Sequence, residues 1–515
     1  WNAGYIVTSG DNAYGMYAYD NSEIYNSYFS PNTIETFGDG SHGMVADMDS
    51  FAGNDDEIIT HGEGSFGMLA VNQSTANNAD VVRTGGAGSH GMVADGAGSV
   101  AHNNANVVTT GDGAFGMYAL NTGTVLNHAG GLVRTNGEGS HGMVADGTGS
   151  TATNEFGAEV RTTGPGSFGM LATGGSVATN LGRVVTTSDD SHGMYAFGGS
   201  TIYNTNAGDN RGVVRTEGAG SHGMVADGSG STAHVNSSNV VTNGDNSFGM
   251  YALNGGLVYN HFGGLVRTNG TGSHGMVADG AGSRATNEGD ADVLTTGDGS
   301  FGMFATNGSE AENLGRVVTR GDGSHGMYAF GGSTVNNNGS GAVRTEGAGS
   351  HGMVADGAGS VANNRSSVLT IGDGSFGMYA LDGGEVINRY GATIRTDGAD
   401  SHGMVAQGTG AIATNETEAN IRTTSDDSYG MYALDGALAR NSGTITTLGD
   451  SSHGMVAENG SGDPDDPDSG AYNNEMIVTS GDGSYGMYAL NSSRVDNYDT
   501  IETRGEGSHG MVASG

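Results

Sequence analysis

The sequence predicts an all-β chain wound as a right-handed parallel β-helix of about 20 coils, and three observations carry that expectation. A Gly-Met-x-Ala frame recurs twenty times from Gly15 to Gly510, mostly at intervals of 24 to 27 residues. Each period holds three short β-favouring segments separated by Gly, Asp and Asn turns. In residues 106–127, NVVTTGDGAFGMYALNTGTVLN, these are NVVTT, AFGMYA and TVLN. An Asn falls eleven or twelve residues after the frame glycine in most periods, as at Asn127, Asn154, Asn180, Asn287, Asn388 and Asn441.

Three strands per turn of about 25 residues is the unit of a β-helix, each strand pairing with its copy one coil away at roughly 4.8 Å. No stretch has useful helical spacing, and the leucine-plus-asparagine consensus of leucine-rich repeats is missing. Asn tolerates left-handed backbone and forms amide ladders, so an Asn ladder at one corner is expected.

Length supports the same reading. A chain of 515 residues would otherwise split into several domains, whereas a repeat array grows without new cores. A single continuous solenoid over residues 1–515 is expected. Five-coil cassettes are superimposed at approximately 81–212, 213–341 and 342–474: GLVRTNGEGSHGMVADGTGSTATNE from Gly131 matches GLVRTNGTGSHGMVADGAGSRATNE from Gly264. Both ends cut through repeats, so the chain reads as a piece of something longer or as a unit that stacks end to end.

Composition narrows function. With 56 acidic residues, 18 basic residues that are all Arg, and a net charge of -38, the surface repels phosphate backbones. No basic stripe is seen to interrupt it, so no nucleic-acid partner is expected. No apolar run approaches the roughly 20 residues of a membrane span, which leaves membrane attachment to a barrel or anchor outside this segment. There is no Cys to act as nucleophile.

Strand alternation places the residue before the frame Gly, the Met and the Ala on one side, and the Gly and the residue after Met on the other. Stacked methionines facing water would form an implausible apolar band, so the Met side is expected to be interior. The residue before the Gly is then expected inside or at the rim of the core. It is His in eleven coils and Phe or Tyr in nine, usually alternating: His90, Phe115, His141, Phe168. Histidines in alternate coils lie roughly 9.6 Å apart, too far to share a metal at about 2.0 to 2.1 Å. An aromatic stack of neutral imidazoles and phenyl rings is expected instead, and no metal or other cofactor.

GAGSHG at 86–91 and GDGSFG at 297–302 fit the G-x-G-x-x-G string, but they lead into strands rather than helices and read as turns. Loosely bound Ca²⁺ is possible at the acidic turn residues Asp112, Asp298, Asp322 and Asp373 and at DPDDPD, 463–468. Glycan-cleaving β-helices set carboxylates on one face. The clearest breaks in period here, Tyr25 to Pro31, Asn204 to Gly212 and Glu458 to Tyr472, lengthen turns rather than assemble such a cluster.

The residue after Met forms the candidate contact site. Tyr17, Tyr118, Tyr195, Tyr251, Phe304, Tyr328, Tyr379, Tyr432 and Tyr488 alternate, mostly with Val, and are expected to make an outward ridge about 95 Å long at standard strand spacing. Repeats such as Gly-Ser-His-Gly-Met-Val-Ala and Gly-Ser-Phe-Gly-Met-Tyr-Ala resemble the β-helical passenger regions of bacterial autotransporter adhesins and related surface proteins, over nearly the whole chain. That resemblance implies an extracellular, outer-membrane-anchored stalk whose partner is itself or a ligand on a host or neighbouring cell. A non-catalytic stalk or adhesin is therefore expected, with an end-to-end filament and a glycan-processing enzyme as alternatives.

Overall fold

The computed structural model describes residues 1–26, 32–206, 212–460 and 469–515. The DPDDPD segment, and much of the three breaks in period, lie outside the described residues. The chain divides into two compact units, Trp1–Tyr259 with Gly263–Leu265, and Asn260–Phe262 with Val266–Gly515. Each is a parallel β-solenoid made from the same coil, and no helix among the described residues is long and apolar enough to cross a membrane.

One coil of the first unit comprises Met117–Leu120, Thr124–Asn127 and Leu132–Thr135, hereafter a Met strand, an Asn strand and a Thr strand. Each pairs in parallel with its copy in the next coil, matching Met117 to Met143, Asn127 to Asn154 and Thr135 to Thr162. The second unit repeats this at Met378–Leu381, Glu385–Asn388 and Thr393–Thr396, which match Met404, Asn415 and Thr423. A slip of one residue would turn every Met, Ala and Val of a coil to the outside, so burial enforces this register.

The interior holds Met and Ala from the Met strand and the second and fourth residues of the other two strands. All frame methionines from Met44 to Met487 are fully buried, as expected for the Met side. The buried polar residues form ladders. Each corner amide donates through Nδ2 to the Oδ1 of the next coil's Asn, at 2.8 to 2.9 Å from Asn26 to Asn204 in the first unit. The ladder of the second unit runs at 2.7 to 2.9 Å from Asn260 to Asn497. These residues stand at strand ends and not in left-handed backbone. Positive φ falls instead to turn residues such as Gly139 (61°) and Asp190 (52°). A second ladder is built on serine: the Ser140 N–H donates to Ser167 Oγ at 2.9 Å, and Thr135 Oγ1 donates to the Ser140 carbonyl at 2.7 Å.

The frame glycine departs from the expected alternation. It occupies a bend before the Met strand, and a Cβ on Gly142 would lie 2.2 Å from Val160 Cγ1 and 2.5 Å from the Gly169 carbonyl oxygen. Gly142 therefore faces inward beside Met143, and the bend carries His141 to the outer side. Strict alternation fails because the bend inserts a change of direction between the two residues.

Gly142→Ala is expected to lower stability by about 2 kcal/mol or more through overpacking against backbone. Gly139→Ala meets nothing within 4 Å and only has to hold φ at 61°, so its cost is expected near 1 kcal/mol. Urea denaturation of the two variants checks the order, and equal midpoints would refute the inward assignment of Gly142.

Candidate functional site

The bend puts the His/Phe ladder on the same outer side as the residue after Met, and the two sets form one aromatic wall. His90 and Phe115 stack at 4.6 Å with rings 11° apart. Tyr118 stands edge-on to both, at 5.1 and 5.3 Å. Its hydroxyl donates to Asp146 of the following coil at 3.0 Å. Burial first, and then this bond, push the Tyr118 hydroxyl up to about 12.

The other ridge residues repeat the pattern. Tyr17, Tyr195 and Tyr328 donate to Asp47, Asp227 and Asp356 at 2.7, 2.7 and 2.5 Å, while Tyr379 and Tyr432 bond to Gln407 and Glu458. Tyr251 and Phe304 lie edge-on to Phe248 and Phe301, and Tyr488 lies edge-on to Tyr485 and His453. Tyr17 is 46% exposed, but the other eight are half-buried, and the valines between them, such as Val144, are buried. The ridge residues lie on the outer side of the Met strands, yet they spend much of their apolar surface on the ring ladder beneath them.

The histidines are packing groups with one committed nitrogen. The Phe66, Phe115 and Phe168 N–H groups donate to Nδ1 of His42, His90 and His141 at 3.0 Å, which places the ring proton on Nε2. The adjacent pairs behave alike: the His222 N–H donates to His192 Nδ1 and the His351 N–H to His325 Nδ1, both at 3.1 Å. Burial pushes His90, His141 and His325 down to about 4, so these rings are neutral. Among the described residues no group of three His, Asp, Glu or Cys side chains is placed to hold a metal ion.

The acidic turns also link coils. Asp112, Asp298, Asp322 and Asp373 each accept, through Oδ1, the backbone N–H of the residue at the same place in the next coil, at 2.9 Å. One carboxylate oxygen of each is thereby engaged with the coil above or below it.

Two arrangements escaped sequence reasoning. On the outer side of the first unit's Asn strands, His102 Nδ1 lies 2.8 Å from His128 Nε2, and His128 Nδ1 lies 2.9 Å from Glu155. The second unit repeats the last contact between His261 and Glu288 at 2.9 Å and carries an Asn363, Arg389, Glu416 chain at the matching phase. The residues flanking each corner Asn, before it at His102 and Asn363 and after it at His128, Glu155, Arg389 and Glu416, were the available signal. The other arrangement is basic: ten of the eighteen arginines occupy outward positions of Thr strands. These are Arg83, Arg134, Arg161, Arg183 and Arg215 in the first unit, and Arg267, Arg316, Arg344, Arg395 and Arg422 in the second. These arginines form a broken stripe along each unit's Thr strands that the sequence reading did not see: register stacks Arg134 on Arg161 and Arg395 on Arg422, each pair 27 residues apart in sequence, while others, such as Arg183, meet neutral or acidic partners.

The BigA third pectate lyase-like domain matches residues 125–264, 260–391 and 408–515, more than half of the chain. The chain belongs to that family. Pectate lyase-like describes the fold, and the family is of the autotransporter-passenger type that the repeats resemble. An extracellular or cell-surface role fits it. The cryo-EM structure of the Vag8–C1 inhibitor complex contains a chain similar over 99% of this chain and 100% of its own, at 18% identity and a TM-score of 0.47. No curated protein matches the chain.

The buried histidines set a pH dependence with a definite sign. Their folded pKa, about 4 for His90 and His141, lies below the unfolded value near 6.5. The unfolded chain therefore binds more protons between these limits, and stability present above pH 6.5 is lost as pH falls toward 4, at up to about 1.4 kcal/mol per pH unit per histidine. Denaturant midpoints are expected to be lower at pH 5 than at pH 7, and equal midpoints would contradict the neutral ring stack.

Proposed function

We propose that the chain is a non-catalytic stalk or adhesin passenger on the bacterial cell surface, held there by a barrel or anchor outside this segment. The observation that carries this reading is where the chemically versatile groups go. Most of the stacked histidine Nδ1 atoms, turn carboxylates and ridge hydroxyls, as at His141, Asp298 and Tyr195, are bonded to the neighbouring coil. Groups that would serve as bases, nucleophiles or ligands in an enzyme here hold one coil to the next, and such repetition suits a scaffold. Membership of the BigA third pectate lyase-like domain family supports the surface role.

Display of the chain on bacteria, fused to an outer-membrane barrel, tests the proposal against cells displaying the barrel alone. Greater adherence to epithelial monolayers or to neighbouring bacteria is expected, and adherence equal to the barrel control would overturn the adhesive role. The purified chain is expected to release no reducing ends from acidic or neutral polysaccharides. Release that scales with protein concentration would overturn the non-catalytic assignment.

A further inference from the structure

The first unit contains one stretch of the arginine stripe that its own carboxylates neutralise only in part. Arg134 and Arg161 are direct register partners on adjacent Thr strands, and Arg183 lies one coil further on, partnered with Glu159. Like charges directly opposite one another destabilise a sheet. Elsewhere on the stripe an acidic residue two positions on relieves the arginine: Arg215 pairs with Glu217, Arg344 with Glu346 and Arg395 with Asp397. At Arg134 and Arg161 those positions are the neutral Asn136 and Thr163. Arg134 donates to Asn136 at 3.0 Å, and among the described residues Arg161 has no ion pair or side-chain hydrogen bond. Glu159, the register partner of Arg183, meets it at 3.4 Å in an exposed pair, which opens at little cost.

Beside this patch lies a groove of about 340 Å³. Phe156, Leu181 and Val213 supply its apolar wall, and Glu159 and Arg183 its polar edge. Phe156 is 42% exposed although it is a large aromatic side chain. Phe156 and Arg183 line the same groove, so a ring face and a guanidinium able to clamp an anion are offered together, with Arg161 two residues beyond Glu159 on the same strand.

The geometry points to a binding site for an anionic saccharide, one or two sugar units at a glycan end, with a ring face on Phe156 and its carboxylate or sulfate on Arg161 and Arg183. Charge complementarity selects the anion. Patch size selects a short ligand: Arg134 to Arg183 spans two coil spacings, roughly 10 Å, about one disaccharide. A longer polyanion would run onto the acidic surface of a chain with net charge -38. The site is separate from the tyrosine ridge, and it rests on the surface role only in that a glycan must be able to reach it.

Calorimetry and saturation-transfer NMR on the purified chain test the site with three probes: sialyllactose as the carboxylate, a sulfated heparin disaccharide as the sulfate, and lactose as the neutral control. At least one anionic probe is expected to bind, with lactose absent or far weaker, and which probe binds identifies the anion. The R161A/R183A double variant is expected to lose about tenfold or more in affinity, F156A to weaken binding of the same probe, and R422A, on the other unit, to leave it unchanged. All four residues are exposed or half-buried outer positions, and circular dichroism confirms that each variant remains folded. Absence of binding by both anionic probes at millimolar concentration would overturn the site, as would wild-type affinity in both R161A/R183A and F156A. Adherence of displayed cells without sugar binding would remove this site and leave the surface role standing.

Discussion

Every feature of this protein follows from the requirement that identical positions in successive coils stack in register. A parallel strand pair brings each residue against its copy at roughly 4.8 Å, so a side chain is acceptable only if it can tolerate or bond to another of its kind. Asn meets the condition because its amide is donor at one end and acceptor at the other, and successive corner amides such as Asn127, Asn154 and Asn180, at 0% exposure, satisfy one another in this way. Ser meets it by coupling Oγ to the next coil's N–H. Met and Ala meet it by packing alone.

The same requirement explains the outer aromatic wall. A uniform histidine column would set charged rings against one another whenever one was protonated, whereas alternation with Phe or Tyr separates most of them by a neutral ring. The wall imidazoles from His42 to His453 also provide an acceptor that phenyl lacks, and use it on a backbone N–H of the bend in the next coil. The tyrosines complete the wall from outside and tie its edge to the carboxylate of the next coil. Phenol, imidazole and carboxylate are thus joined in a structural network that in another setting would suggest catalysis.

Much of this was legible in the chain itself. Period, strand number, the buried Met face, the Asn ladder and the ring stack can all be read from repeated residues, because a solenoid writes its cross-section into each repeat. Family membership agrees with the resemblance carried by the Gly-Met-x-Ala frame. The misreadings have physical causes. Alternation was carried through Gly142 although a bend there reverses the facing of His141, and the ridge tyrosines were read without the carboxylates that their hydroxyls reach one coil later.

The sequence alone determined what is periodic: the coil, its interior and the identity of the stacked ladders, since an in-register array repeats the same burial and hydrogen-bonding problem at every turn. Only the tertiary structure decided what is not periodic. Whether Arg134 meets Arg161, whether Phe156 lies beside Arg183, and which way the bend turns His141 depend on register between coils of unequal length and on bend geometry. Neither is encoded in alternation along a single strand.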